Sequence, residues 1–108
     1  MQVNQIKQQF PQVEKSISRA TQALQSDTSA PQELKESVRQ LGTQVTKVGQ
    51  LVQQSQDEQS IRKVIEELEE TGDRAKRAVE QSGNINPQTK TAVLQAHEQI
   101  SQLKQQTH

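Results

Sequence analysis

Two histidines, a run of carboxylates and a small group of cations are the residues through which any chemistry of this chain would have to pass. His97 and His108 are the only imidazoles, and there is no cysteine. The missing thiol removes disulfides, zinc–thiolate sites, iron–sulfur clusters and thiol nucleophiles together. A di-iron carboxylate site in a helical bundle needs Glu three residues before His, because that spacing converges an oxygen and a nitrogen on one metal. Leu94 and Gln105 occupy those positions. No metal and no cofactor is therefore expected.

Phosphoryl transfer through histidine also uses a helix of a four-helix bundle, and it needs a cation close by to neutralise the phosphoryl oxygens. The pattern for such a site is His-x-x-Lys-Gly, whereas Ile100 and Ser101 follow His97 at the equivalent positions. The expected role of His97 is a ring packed at the edge of an apolar seam, with a phosphotransfer relay as the alternative. Neither a Gly-x-x-x-x-Gly-Lys phosphate loop nor a Gly-x-Gly-x-x-Gly turn occurs. The chain is accordingly read as having no catalytic residues.

Glu66, Glu67, Glu69 and Glu70 are followed by Arg74, Lys76 and Arg77. Adjacent helical residues diverge by about 100°, so the acids read as a solvated face and not as a cation cage. Glu70 with Arg74 and Asp73 with Arg77 have the i,i+4 spacing of supporting ion pairs. The functional reading of Arg74, Lys76 and Arg77 is a small basic contact for an acidic protein partner. No aromatic residue is interleaved to stack a base, which argues against nucleic acid.

The elements that carry these residues follow from apolar spacing. Val3, Ile6, Phe10, Val13, Ile17, Ala20 and Leu24 recur at intervals of three and four, one stripe of an amphipathic helix over residues 3–25. Pro11 falls within it and predicts a kinked or two-part helix. Residues 25–31 read as a turn in which Ser29 caps a helix begun by Pro31. Leu34, Val38, Leu41, Val45, Val48 and Val52 make the second stripe, over 30–54, with Leu51 widening it. The apolar phase then slips, resuming at Ile61, Val64, Ile65 and Leu68, and Ser55-Gln-Asp-Glu58 has the form of a capping box. These two signals predict a turn over 53–57; the alternative is one uninterrupted helix from Pro31 to Ser82 that pairs with a second chain. The third helix, 57–82, passes through Gly72, Ala75 and Val79 to Gly83, expected as its left-handed terminator. Asn86-Pro87 starts the last helix, 87–105, with Val93, Ala96, Ile100 and Leu103 inside. Gly42, Gly49 and Gly72 each cost close to 1 kcal/mol against Ala in a helix. They predict close helix approach, or else a groove for another helix.

Four helices joined by short connections must run antiparallel to their neighbours, so the expected fold is all-α, an up-down-up-down four-helix bundle spanning residues 1–108 as one domain. Ile, Leu, Val and Phe number 23 against 22 Gln, and 13 basic residues balance 13 acidic ones. The balanced charge gives no field toward nucleic acid or an anionic membrane, and no window is apolar enough for a signal sequence or a membrane span. The expected setting is cytoplasmic. The expected function is non-enzymatic: a helical interaction or assembly module that binds a protein partner or its own copies.

Overall fold

The computed structural model describes residues 3–54 and 57–107. Helices α1 (Val3–Gln25), α2 (Gln32–Gln53), α3 (Glu58–Gln81) and α4 (Pro87–Gln105) follow one another, with no strand among the described residues. Each packs on its sequence neighbours and α1 closes the ring against α4, giving an antiparallel four-helix bundle 42 Å long. The stripes converge as their spacing requires. Ile6, Val13 and Ile17 of α1 meet Leu34, Leu41 and Val48 of α2, Ile61, Ile65 and Leu68 of α3, and Ile100 and Leu103 of α4 in one core. With a single aromatic side chain in the sequence, this core is aliphatic, and truncating a buried member such as Leu41 to Ala typically costs about 2–5 kcal/mol.

The break between α2 and α3 falls where the apolar phase slips, so the continuous helix from Pro31 to Ser82 does not form. Its cap differs from the expected capping box. Asp57, in extended conformation, accepts a hydrogen bond from the Ser60 amide and makes Glu58 the first helical residue, too early to reach back. Ser55 lies outside the described residues. Helix α1 carries Pro11 in its interior as one continuous element and not as two. At the end of α3, Ser82 turns extended and its amide bonds to the Val79 carbonyl, while Gly83 stays out of the left-handed region. That exit sends the chain directly across the top of the bundle toward the turn between α1 and α2.

The two turns at this end are joined by one carboxylate. Asp27 is buried at 6% exposure. Its Oδ1 accepts from the Ser29 amide at 3.0 Å and the Ser29 hydroxyl at 2.6 Å. Its Oδ2 accepts from the Asn86 amide at 2.9 Å and the Thr89 hydroxyl at 2.8 Å. The Ser29 hydroxyl also lies 2.8 Å from the Asn84 carbonyl, so its single proton is shared between two acceptors. Ser29 is thereby drawn away from α2, which starts after Pro31 with no side-chain cap. Asn86 caps α4 by accepting from the Gln88 amide, leaving its own amide to Asp27. Asp27 thus does from another loop what a glutamate at the third helical position does in a capping box, with its charge at the positive end of α4.

Gly49 and Gly42 have opposite surroundings. A Cβ on Gly49 would stand 2.7 Å from Cζ of Phe10, so the glycine is the seat of the one aromatic ring. A Cβ on Gly42 would meet nothing within 4 Å. Gly72 is buried beneath α4, where a Cβ would lie 3.5 Å from Ile100. Urea melts should therefore show Gly42→Ala raising stability by about 1 kcal/mol, while Gly49→Ala loses that gain because the Phe10 ring must move. Equal stabilisation by both would contradict the seating of the ring.

Hydrogen bonds from the Ser29 hydroxyl, the Asn86 amide and the Thr89 hydroxyl hold the Asp27 carboxyl well below its ordinary value of 3.8, against the opposing effect of burial. A carboxylate depressed on folding contributes stability that is complete above its unfolded pKa and is lost as pH falls toward the folded value. Asp27→Asn should lower Tm by a constant amount from neutral pH down to about pH 5, and the gap to the parent should narrow below about pH 4. A gap that stays constant into stronger acid would mean that Asp27 is not the charged joint of the two turns.

Candidate functional site

His97 lies on the α3-facing side of α4, with a side chain 19% exposed, and its Nε2 is 2.7 Å from Oδ1 of Asp73. A carboxylate only accepts, so Nε2 carries the hydrogen and donates it. The ring is bridged to α3 instead of being offered to solvent. Phosphorylation at Nε2 would break this bond and set a phosphoryl dianion beside a carboxylate, without the cation that phosphotransfer requires. Farther along the same seam, Lys104 Nζ donates to Glu69 Oε1 at 2.8 Å. The Glu69 hydrogen bond and charge push the Lys104 ammonium pKa up, with burial opposing and Glu66 and Asp73 adding to the rise. The His97–Asp73 hydrogen bond and the Lys104–Glu69 ion pair both fasten α3 to α4.

The Glu70–Arg74 and Asp73–Arg77 pairs expected within α3 are not formed, because Asp73 serves His97 and Arg74 turns toward α2. Arg74 donates to Gln40 Oε1 and Thr71 Oγ1, each at 3.1 Å. Arg74 and Arg77 share one side of α3, three residues apart and both exposed. Lys76 is half-buried and, two positions from Arg74, does not share that side. The structure therefore brings two of the three expected contact cations together and separates the third. Among the described residues no group of three His, Asp or Glu side chains converges to hold a metal ion. No described helix is long and apolar enough to cross a membrane.

Open depressions lie on the opposite seam. Helices α1 and α2 are the loosest pair in the ring. Two depressions of about 330 and 480 Å³ share Thr21, Val38 and Arg39, and a third of about 410 Å³ is lined by Lys7, Phe10, Pro11, Gly49, Val52 and Gln53. Small side chains explain the gap: Thr21 faces Gly42, Thr43 and Thr46, none of which reaches across. The first two adjoin along α2 from Lys35 to Thr46, about 17 Å at 1.5 Å per residue, and the third lies apart from them toward the Gln53 end. Leu24, Val38, Val52 and Phe10 give them apolar floors, and Lys7, Lys35 and Arg39 are the charged residues of their lining; exposed Glu14 stands on the same stripe of α1, three residues after Pro11 and seven before Thr21. Being shallow, they would enclose little of a small molecule.

If His97 is held by Asp73 as a structural ring, His97→Gln should melt within about 1 kcal/mol of the parent, since the amide can still donate to the carboxylate. Incubation with a small-molecule phosphodonor should leave the intact mass unchanged. A phosphoryl adduct on His97 would overturn the structural assignment.

Comparison with known proteins gives no match to a family model, to a curated protein or to a solved structure.

Proposed function

We propose that this chain is a non-enzymatic helical interaction module, and that the trough between α1 and α2 is the surface through which it binds another protein. The open apolar floor under Gly42 carries this reading. Every other helix glycine in the described bundle has a neighbour over it, Phe10 on Gly49 and Ile100 on Gly72, and at Gly42 that space is vacant. A helix interior tolerates glycine at a cost of close to 1 kcal/mol, and a partner seated over Gly42 supplies the compensation that the isolated bundle does not.

The alternative, a phosphotransfer relay through His97, draws no support from the ring's surroundings, where the neighbouring charge is a carboxylate. The pair of exposed guanidiniums, Arg74 and Arg77, is a secondary contact for the same function, on the far side of α2 from the trough.

A photo-crosslinking residue at Thr43, in the trough, should yield one discrete adduct in the cells that make this protein. The same residue at Thr91, exposed on α4, should yield none. Adducts of equal yield from both positions, or none from Thr43, would contradict the reading.

A further inference from the structure

Helix α1 is fastened unevenly along its length, and we infer that residues 3–10 are a strap that detaches as a unit about Pro11 and uncovers the Val52 end of the core. Three observations place the hinge. Pro11 has no N–H, so the Lys7 carbonyl loses the donor that a helix supplies four residues on, and the ladder is one bond short at that turn. Beyond the hinge, α1 runs into Asp27, whose carboxylate holds the start of α4 through the Asn86 amide and the Thr89 hydroxyl. Before and around it, no side chain of residues 3–16 makes a hydrogen bond or ion pair among the described residues, and the buried Oε1 of Gln9 finds no donor.

What holds the strap is apolar contact. Ile6 is fully buried, while Val3 and Phe10 are half-buried and the Phe10 ring rests on Gly49. The depression of about 410 Å³ lined by Lys7, Phe10, Pro11, Gly49, Val52 and Gln53 lies at this turn, so packing is incomplete where the ladder is interrupted. A segment with few polar ties and a broken ladder opens at a lower free energy than the whole domain unfolds. Lifting the strap gives solvent access to Val52, which is 4% exposed in the closed bundle. Val38, 1% exposed toward the opposite end of the same seam, stays covered, because α1 beside it at Thr21 and Leu24 is anchored through Asp27. The device lies apart from the surface over Gly42 and needs no partner to operate.

The chain has no cysteine, so single thiols can read the opening. Val52→Cys and Val38→Cys, each close in size to the residue replaced, are labelled in the intact folded protein with a small aromatic disulfide in excess. Each rate is divided by that of the same variant unfolded in urea. The thiol at position 52 should react at least about ten-fold faster than the one at 38. Adding Pro11→Ala, which restores a donor to the Lys7 carbonyl, should bring the two rates to within about two-fold of each other. Adding Ile6→Ala, which removes the buried anchor, should widen the ratio. Equal rates in the two single variants would overturn the strap. A ratio that Pro11→Ala leaves unchanged would also overturn it, since fraying at the end of α2 does not depend on a donor in α1. So would an Ile6→Ala change that accelerates both thiols alike, the mark of a bundle that opens only as a whole.

Discussion

A carboxylate buried without a cation is costly unless donors surround it, and Asp27 meets that requirement with four, two on each oxygen. The donors come from both turns at one end of the bundle, so this single side chain sets the distance between the end of α1 and the start of α4. Other features follow from that joint. Ser29 is recruited to it, so α2 begins uncapped at Gln32. The chain leaves α3 extended, so that the Asn84 carbonyl accepts from the Ser29 hydroxyl and the Asn86 amide donates to the carboxylate. Asn86 is left to cap α4 with its side chain alone.

Polar cross-links fall on three of the four seams. The α1–α4 end is joined through Asp27, the α3–α4 seam by His97–Asp73 and Lys104–Glu69, and the α2–α3 seam by Arg74 on Gln40. Along the fourth seam, α1 against α2, the contact is Phe10 on Gly49 at one end and apolar packing at the base, with threonines and Gly42 facing each other above it. The trough is thus the remainder of a ring whose other three seams are cross-linked. The chemistry of the His97 region follows the same pattern: its titratable groups are consumed in holding α3 to α4.

The helices were legible because the apolar residues fall at intervals of three and four without a competing period, and every seam position from Leu34 to Val52 is buried as the spacing requires. The α2–α3 break was legible from the slipped phase, while its capping residue was not, since Asp57 and Ser55 are both good caps and only the backbone path selects Asp57. Asp27 escaped because its partners lie 59 and 62 residues away; the local trace of its role is the Asp-x-Ser spacing that forms an Asx turn. The ion pairs of α3 were misassigned for a related reason. Spacing within one helix names possible partners, whereas the packed neighbour decides which carboxylate is taken. Glycine content pointed to close approach at three positions, and that is the case at Gly49 and Gly72. At Gly42 a Cβ would meet nothing within 4 Å, an opening that no local pattern encodes.

A binding surface between α1 and α2 requires the space over Gly42 to be open in the folded protein, and the absence of native cysteine makes this measurable by thiol labelling. Single variants Gly42→Cys and Gly72→Cys, treated with a bulky maleimide under native conditions, place one thiol in the trough and one beneath Ile100. The thiol at position 42 should react at the rate of a free peptide thiol, and the one at 72 only as fast as the bundle unfolds. Equally slow labelling at both positions would mean that α1 and α2 close over Gly42, and would contradict the account.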